Sequence, residues 1–164
     1  MKLRTLFLSF LFISFAIQSF SQDFSLLSKI PLKEKADFAK AEKQVLECAN
    51  YLTSNPLDLK DTNRKSAEAF LAVWMTGTPD YTFELDESVG KILDSYNLLF
   101  GTFLACATKI ALENKDKSLN AKEQTNNAIS LLMNYCKNPD NKVVLNDTLK
   151  KMIEQNSSSN YQKL

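Results

Sequence analysis

The residues with the most chemistry to offer sit in one short stretch. Trp74, Asp80, Tyr81 and Phe83 are followed at once by Glu84, Asp86 and Glu87. Aromatic faces beside carboxylates could hold a ligand or a partner's basic side chain, because Trp and Tyr are frequent interface anchors. A plainer reading competes. Trp74 falls in helical register with Phe70 and Leu71, which favours the core. Asp80 follows Pro79 as a turn residue would, and Asp86 stands where a helix N-cap is needed. The carboxylates lack the D-x-[DN]-x-[DN]-G order of a calcium loop. A glycosidase pair would need two of them facing across a cleft.

Other chemistries lack their parts. The chain has no histidine, so Ser-His-Asp and Cys-His nucleophile systems and imidazole metal ligands are excluded. There is no G-x-x-x-x-G-K-[ST], G-x-G-x-x-G or G-x-S-x-G signature. Cys48, Cys106 and Cys136 show no C-x-x-C spacing. Three thiols allow one intramolecular disulfide at most, and the pairing stays open. Each cysteine lies in an apolar helical pattern, where a buried inert thiol is common. Neither a catalytic set, a metal set nor a cofactor site is expected.

The block Trp74-Met75-Thr76-Gly77-Thr78-Pro79-Asp80-Tyr81 resembles the W-M-x-G-T-P-D-Y-like block of a small set of exported, all-helical bacterial proteins of unknown function. The resemblance implies a helical fold over most of the chain. It implies no activity.

The elements that position these residues begin after a leader. Lys2 and Arg4 precede an apolar run from Leu6 to Ile17, and Ser19-Phe20-Ser21 supplies small residues at the −3 and −1 positions. This is the pattern of a cleaved secretory signal, residues 1–21, too short to span a membrane. Cleavage after Ser21 removes 21 of the 164 residues and two of the 20 basic side chains against 19 acidic ones, leaving 143 residues and a net charge of −1. That balance gives no footprint for nucleic acid. The mature chain is long enough for one core without staples. The expected location is the periplasm or the outside of the cell, with no further transmembrane span.

Only three glycines and four prolines punctuate the sequence, which favours helices. Phe38, Ala41, Val45, Cys48 and Leu52 step by threes and fours along one face, and Asn55-Pro56 stops that helix. A second helix starts at Asp61 or Thr62, carries Ala67, Phe70, Leu71 and Trp74, and ends at Gly77. Tyr81 to Leu85 alternate and read as an extended connector. A short helix follows Asp86 as far as about Tyr96. Leu98 to Leu112 is the most apolar segment and should form the buried centre, with one stripe through Leu99, Phe103, Cys106 and Ile110 and another through Phe100, Leu104, Ala107 and Ala111. Gly101 within it would permit a close helix crossing. Asn120 and Glu123 form a capping box for the next helix. A last helix runs from about Asp147 to Gln155, ahead of a disordered tail, 156–164.

An internal echo links the two halves. Asn50-Tyr51 precedes Asn55-Pro56 as Asn134-Tyr135 precedes Asn138-Pro139, and Leu59 to Lys65 parallels Leu145 to Lys151. The expectation is therefore an all-α bundle of five or six helices in one domain, 22–155, with two related hairpins around a central apolar helix. The function expected is non-catalytic binding of an unidentified envelope protein, in its sharper form as an immunity or inhibitor protein. The alternatives are a small-ligand carrier with an apolar pocket beside Trp74 and Phe103, or a carboxylate-dependent hydrolase of the envelope.

Overall fold

The computed structural model describes residues 23–117 and 119–161, with side chains to Ser157. The leader and its cleavage site lie outside the described residues. Six α-helices follow in order: α1 (Lys35–Ser54), α2 (Thr62–Gly77), α3 (Glu87–Ser95), α4 (Phe100–Glu113), α5 (Ala121–Lys137) and α6 (Asp147–Tyr161). Short 3-10 turns occupy Leu27–Lys29, Asn97–Leu99 and Pro139–Asn141. The chain is an all-α bundle, with no strand among the described residues.

Local chemistry starts α2, α3 and α5 where the sequence places them. Asp61 accepts from the Asn63 N–H at 2.8 Å, and Asp86 accepts from Ser88 and Val89 at 2.9 and 3.1 Å. Asn120 and Glu123 exchange two bonds of 2.9 Å, closing a capping box on α5. Such side chains satisfy N–H groups that the helix itself cannot. Gly77 ends α2 and lies against the Phe38 ring, where a Cβ would collide with it.

The helix α4 is the centre, packed against α1, α2 and α5. Its two sides belong to two core clusters. Ala105 and Leu112 join Val45, Leu52, Leu71 and Trp74 of α1 and α2. Phe103, Leu104 and Cys106 join Ile92, Leu132 and Leu149 of the other half. Burial of each large side chain contributes about 1.5–3 kcal/mol. Among the described residues no single helix is long and apolar enough to cross a membrane.

Three details depart from the expected pattern. The second stripe on α4 is broken, since Phe100 is 43% exposed, while Thr102 and Thr108 are buried. A helix with neighbours on several sides buries its short polar residues too, and Thr102 accepts from Arg64 at 3.4 Å. Gly101 makes room for the Glu68 side chain rather than for another backbone. Of the tail expected to be disordered, 156–161 continues α6 to Tyr161, and 162–164 lies outside the described residues. Met152 and Ile153 dock on the second cluster, and Ser157 Oγ donates to the Ile153 carbonyl at 2.9 Å. Docking of one apolar turn holds the next polar turn in helical form.

The echoed segments are both helix–turn–helix units, α1–α2 and α5–α6, with α4 between them. They are not used alike. Tyr51 donates to Asp61 within its own hairpin at 2.6 Å, whereas Tyr135 donates across to Asn55 O at 2.8 Å. The cap of α6 is Asn146, which accepts from Leu149 N–H at 2.9 Å, one residue before the position matching Asp61.

Candidate functional site

The structure does not gather the residues singled out by sequence into one site. Trp74 is fully buried, and its indole N–H donates to Phe38 O at 3.0 Å. It is unavailable for contact with a partner, which corrects the ligand role while bearing out the core register with Phe70 and Leu71. Tyr81 and Phe83 pack on it from the extended connector, with ring centroids 5.4 and 6.2 Å away. The Tyr81 hydroxyl donates to Glu42 at 2.9 Å, and Asp80 pairs with Lys35 at 3.2 Å on the surface. Asp80 and Tyr81 line a polar hollow of about 310 Å³ with Lys115, Lys117 and Gln124. Phe83 and Phe103 border only a crevice of about 10 Å³, scarcely room for one water. The apolar pocket expected beside Trp74 and Phe103 is filled by side chains.

The carboxylates are likewise dispersed. Asp86 caps α3, and Glu87 pairs with Lys91 at 2.9 Å. No group of three metal-ligating side chains occurs among the described residues.

An open apolar groove lies elsewhere, between the segment 24–33 and the outer face of α2. Its volume is about 730 Å³, within the 300–1,000 Å³ of small-molecule sites. Phe24, Leu27 and Phe70 are its buried apolar residues, and Ile30, Leu32 and Val73 line it further. Val73 is 56% exposed, although α2 buries its opposite face in the core. Lys29, Lys33 and Lys65 are the charged residues lining it. Sequence reasoning passed over this groove, because the helical stripe on α2 draws attention to its core face. The signal present was Ala69 and Val73, apolar residues outside that stripe.

A second feature was also missed. Arg64, in the first turn of α2, is 1% exposed. Its Nη2 donates to Leu52 O, Asn55 O and Pro56 O at 3.1, 3.1 and 3.2 Å and lies 3.3 Å from Tyr135 Oη. Its Nη1 pairs with Glu68 at 3.1 Å. These carbonyls lie at the C-terminal end of α1 and in the Asn55-Pro56 turn, so a cation beside them also meets the negative end of the helix dipole. The Leu57 N–H donates to Asn141 O at 2.9 Å, joining the two Asn-Pro turns directly.

The nucleophiles are withdrawn. All three cysteines are free and buried, so the disulfide allowed by the sequence is not formed. Burial pushes Cys48 and Cys136 up to about 12 and raises Cys106 further, with Cys136 adding to that rise. A thiol so far above neutrality presents no thiolate for attack. Iodoacetamide should therefore leave the native protein unmodified and label three thiols after denaturation. Labelling of only one would reveal a disulfide. Burial also lifts Tyr81 to about 12, reinforced by Glu42, and Tyr135 to about 12 against the opposing charge of Arg64. Burial resists ionisation of Asp61, but the Tyr51 hydroxyl and the backbone N–H groups of Arg64 and Asn63 hold its pKa down. These shifts run away from neutrality, opposite to the direction that general acid–base work needs.

Fold and site together define an all-α bundle with an open, lysine-bearing apolar groove. No protein-family model, curated protein or solved structure matches the chain.

Proposed function

We propose that the protein is exported and works by binding, without catalysis, through the groove between segment 24–33 and α2. One observation carries this reading. An apolar concavity of about 730 Å³ remains open on the surface, whereas the apolar faces of α1, α4 and α5 are covered by one another. Exposed apolar concavities of this size are where soluble proteins hold ligands or partners. The thiols and phenols shifted away from neutrality support the same reading.

The test uses the plugged groove. Ala69 is exposed on the groove face of α2, so Ala69→Trp fills the concavity without entering the core. Protein extracted gently from the envelope of the expressing cell should carry a non-covalent companion in native mass spectrometry. Ala69→Trp should fold equally well and lose that companion. A bare chain mass for both proteins would overturn the binding reading.

A further inference from the structure

The lining of the groove specifies its ligand beyond "apolar". Phe70, Ala69 and Val73 of α2 face Phe24, Leu27 and Ile30 of the N-terminal segment. Three lysines line the same concavity and no carboxylate does. In a chain with 20 basic and 19 acidic residues this is a local imbalance. Lys33 is offset by Asp37, whose pKa it helps to lower. Lys29 and Lys65 have no ion pair among the described residues. Two uncompensated ammonium groups beside an apolar trough are complementary to an anionic head on an apolar chain.

We propose that the groove takes a free long-chain carboxylate, with its chain along Phe70 and Val73 and its head against Lys29 and Lys65. This rests on the binding reading above. A protein partner fits less well, because lysine is depleted in protein interfaces and aromatic anchors are enriched. Here the aromatic residues Phe24 and Phe70 are 5% and 7% exposed, at the floor rather than on a surface a partner could clasp. The two lysines confer head-group selection through charge-assisted hydrogen bonds. The trough contributes affinity in proportion to the chain area removed from water.

The experiment is a calorimetric titration of the protein, freed of its companion on a hydrophobic resin and seen as a bare chain by native mass spectrometry, with dodecanoate, dodecanol and dodecyltrimethylammonium. Dodecanoate should saturate at one per chain and bind at least about tenfold tighter than the alcohol, with the ammonium weakest. The double variant Lys29→Gln/Lys65→Gln should keep its melting curve, abolish that tenfold preference and leave dodecanol binding unchanged. Absence of saturable dodecanoate binding would overturn the proposal, as would equal binding of the ammonium. Sedimentation with phosphatidylglycerol vesicles that depends on the same two lysines would also overturn it, in favour of a membrane surface. A null titration removes this ligand class and leaves the companion lost in Ala69→Trp standing, so the two failures are distinguishable.

Discussion

Arg64→Ala should lower the stability of the protein by about 2–4 kcal/mol, the cost of truncating a large buried side chain and orphaning a buried hydrogen-bond partner. Three consequences combine. The buried Leu52 carbonyl loses its donor, at about 1–3 kcal/mol for an unsatisfied acceptor, while Asn55 O keeps the Tyr135 hydroxyl and Pro56 O keeps the Asp58 N–H. The volume of the largest buried cationic side chain is vacated. The Glu68 carboxylate, 31% exposed, loses its partner. The loss should be transmitted between the hairpins, because Arg64 of α2 also meets Tyr135 of α5. Arg64→Lys should recover only part of the stability, since a single ammonium cannot reach so many acceptors in one plane. Urea denaturation of the two variants measures this directly. A loss below about 1 kcal/mol for the alanine variant would mean that the Leu52 carbonyl finds water or another donor.

Phe103→Asp should leave the protein unfolded. Phe103 is 2% exposed, on the side of α4 that packs with Ile92, Leu132 and Leu149. An aspartate there would be a charge without a partner, in addition to the loss of the packed ring. Losses above about 4 kcal/mol arise from such mechanisms, and they approach the whole stability of a domain this size. Lys43→Asp, on the exposed face of α1, should cost under about 0.5 kcal/mol. Circular dichroism and thermal melting separate the two cases. A Phe103→Asp protein with the native helical spectrum and melting curve would mean that α4 is not the centre of the bundle.

The helices themselves are legible in the amino-acid sequence, because their determinants are local. The three-and-four spacing of Phe38, Ala41, Val45, Cys48 and Leu52 places one face of α1 in the core, and all five are buried. Asp61, Asp86 and Asn120 cap the helices that they precede, since an N-cap acts within three residues. Uniform apolarity likewise marks α4 as the centre, although a stripe drawn on one helix cannot say which neighbour covers it, and Phe100 is left exposed. What tertiary structure alone decides is where separate segments meet. Nothing in the sequence around Arg64 marks it for burial. It is buried because the Asn55-Pro56 turn and Tyr135, 71 residues away, converge on it. Trp74 reads as core by its register, and the residues that cover it, Phe38 and the 78–86 connector, are set only by the tertiary structure. The groove exists because the segment 24–33 crosses the outer face of α2 without filling it. Periodicity reports which side of a helix is apolar; whether that side is covered depends on chain distant in sequence, and only the packed structure contains that distance.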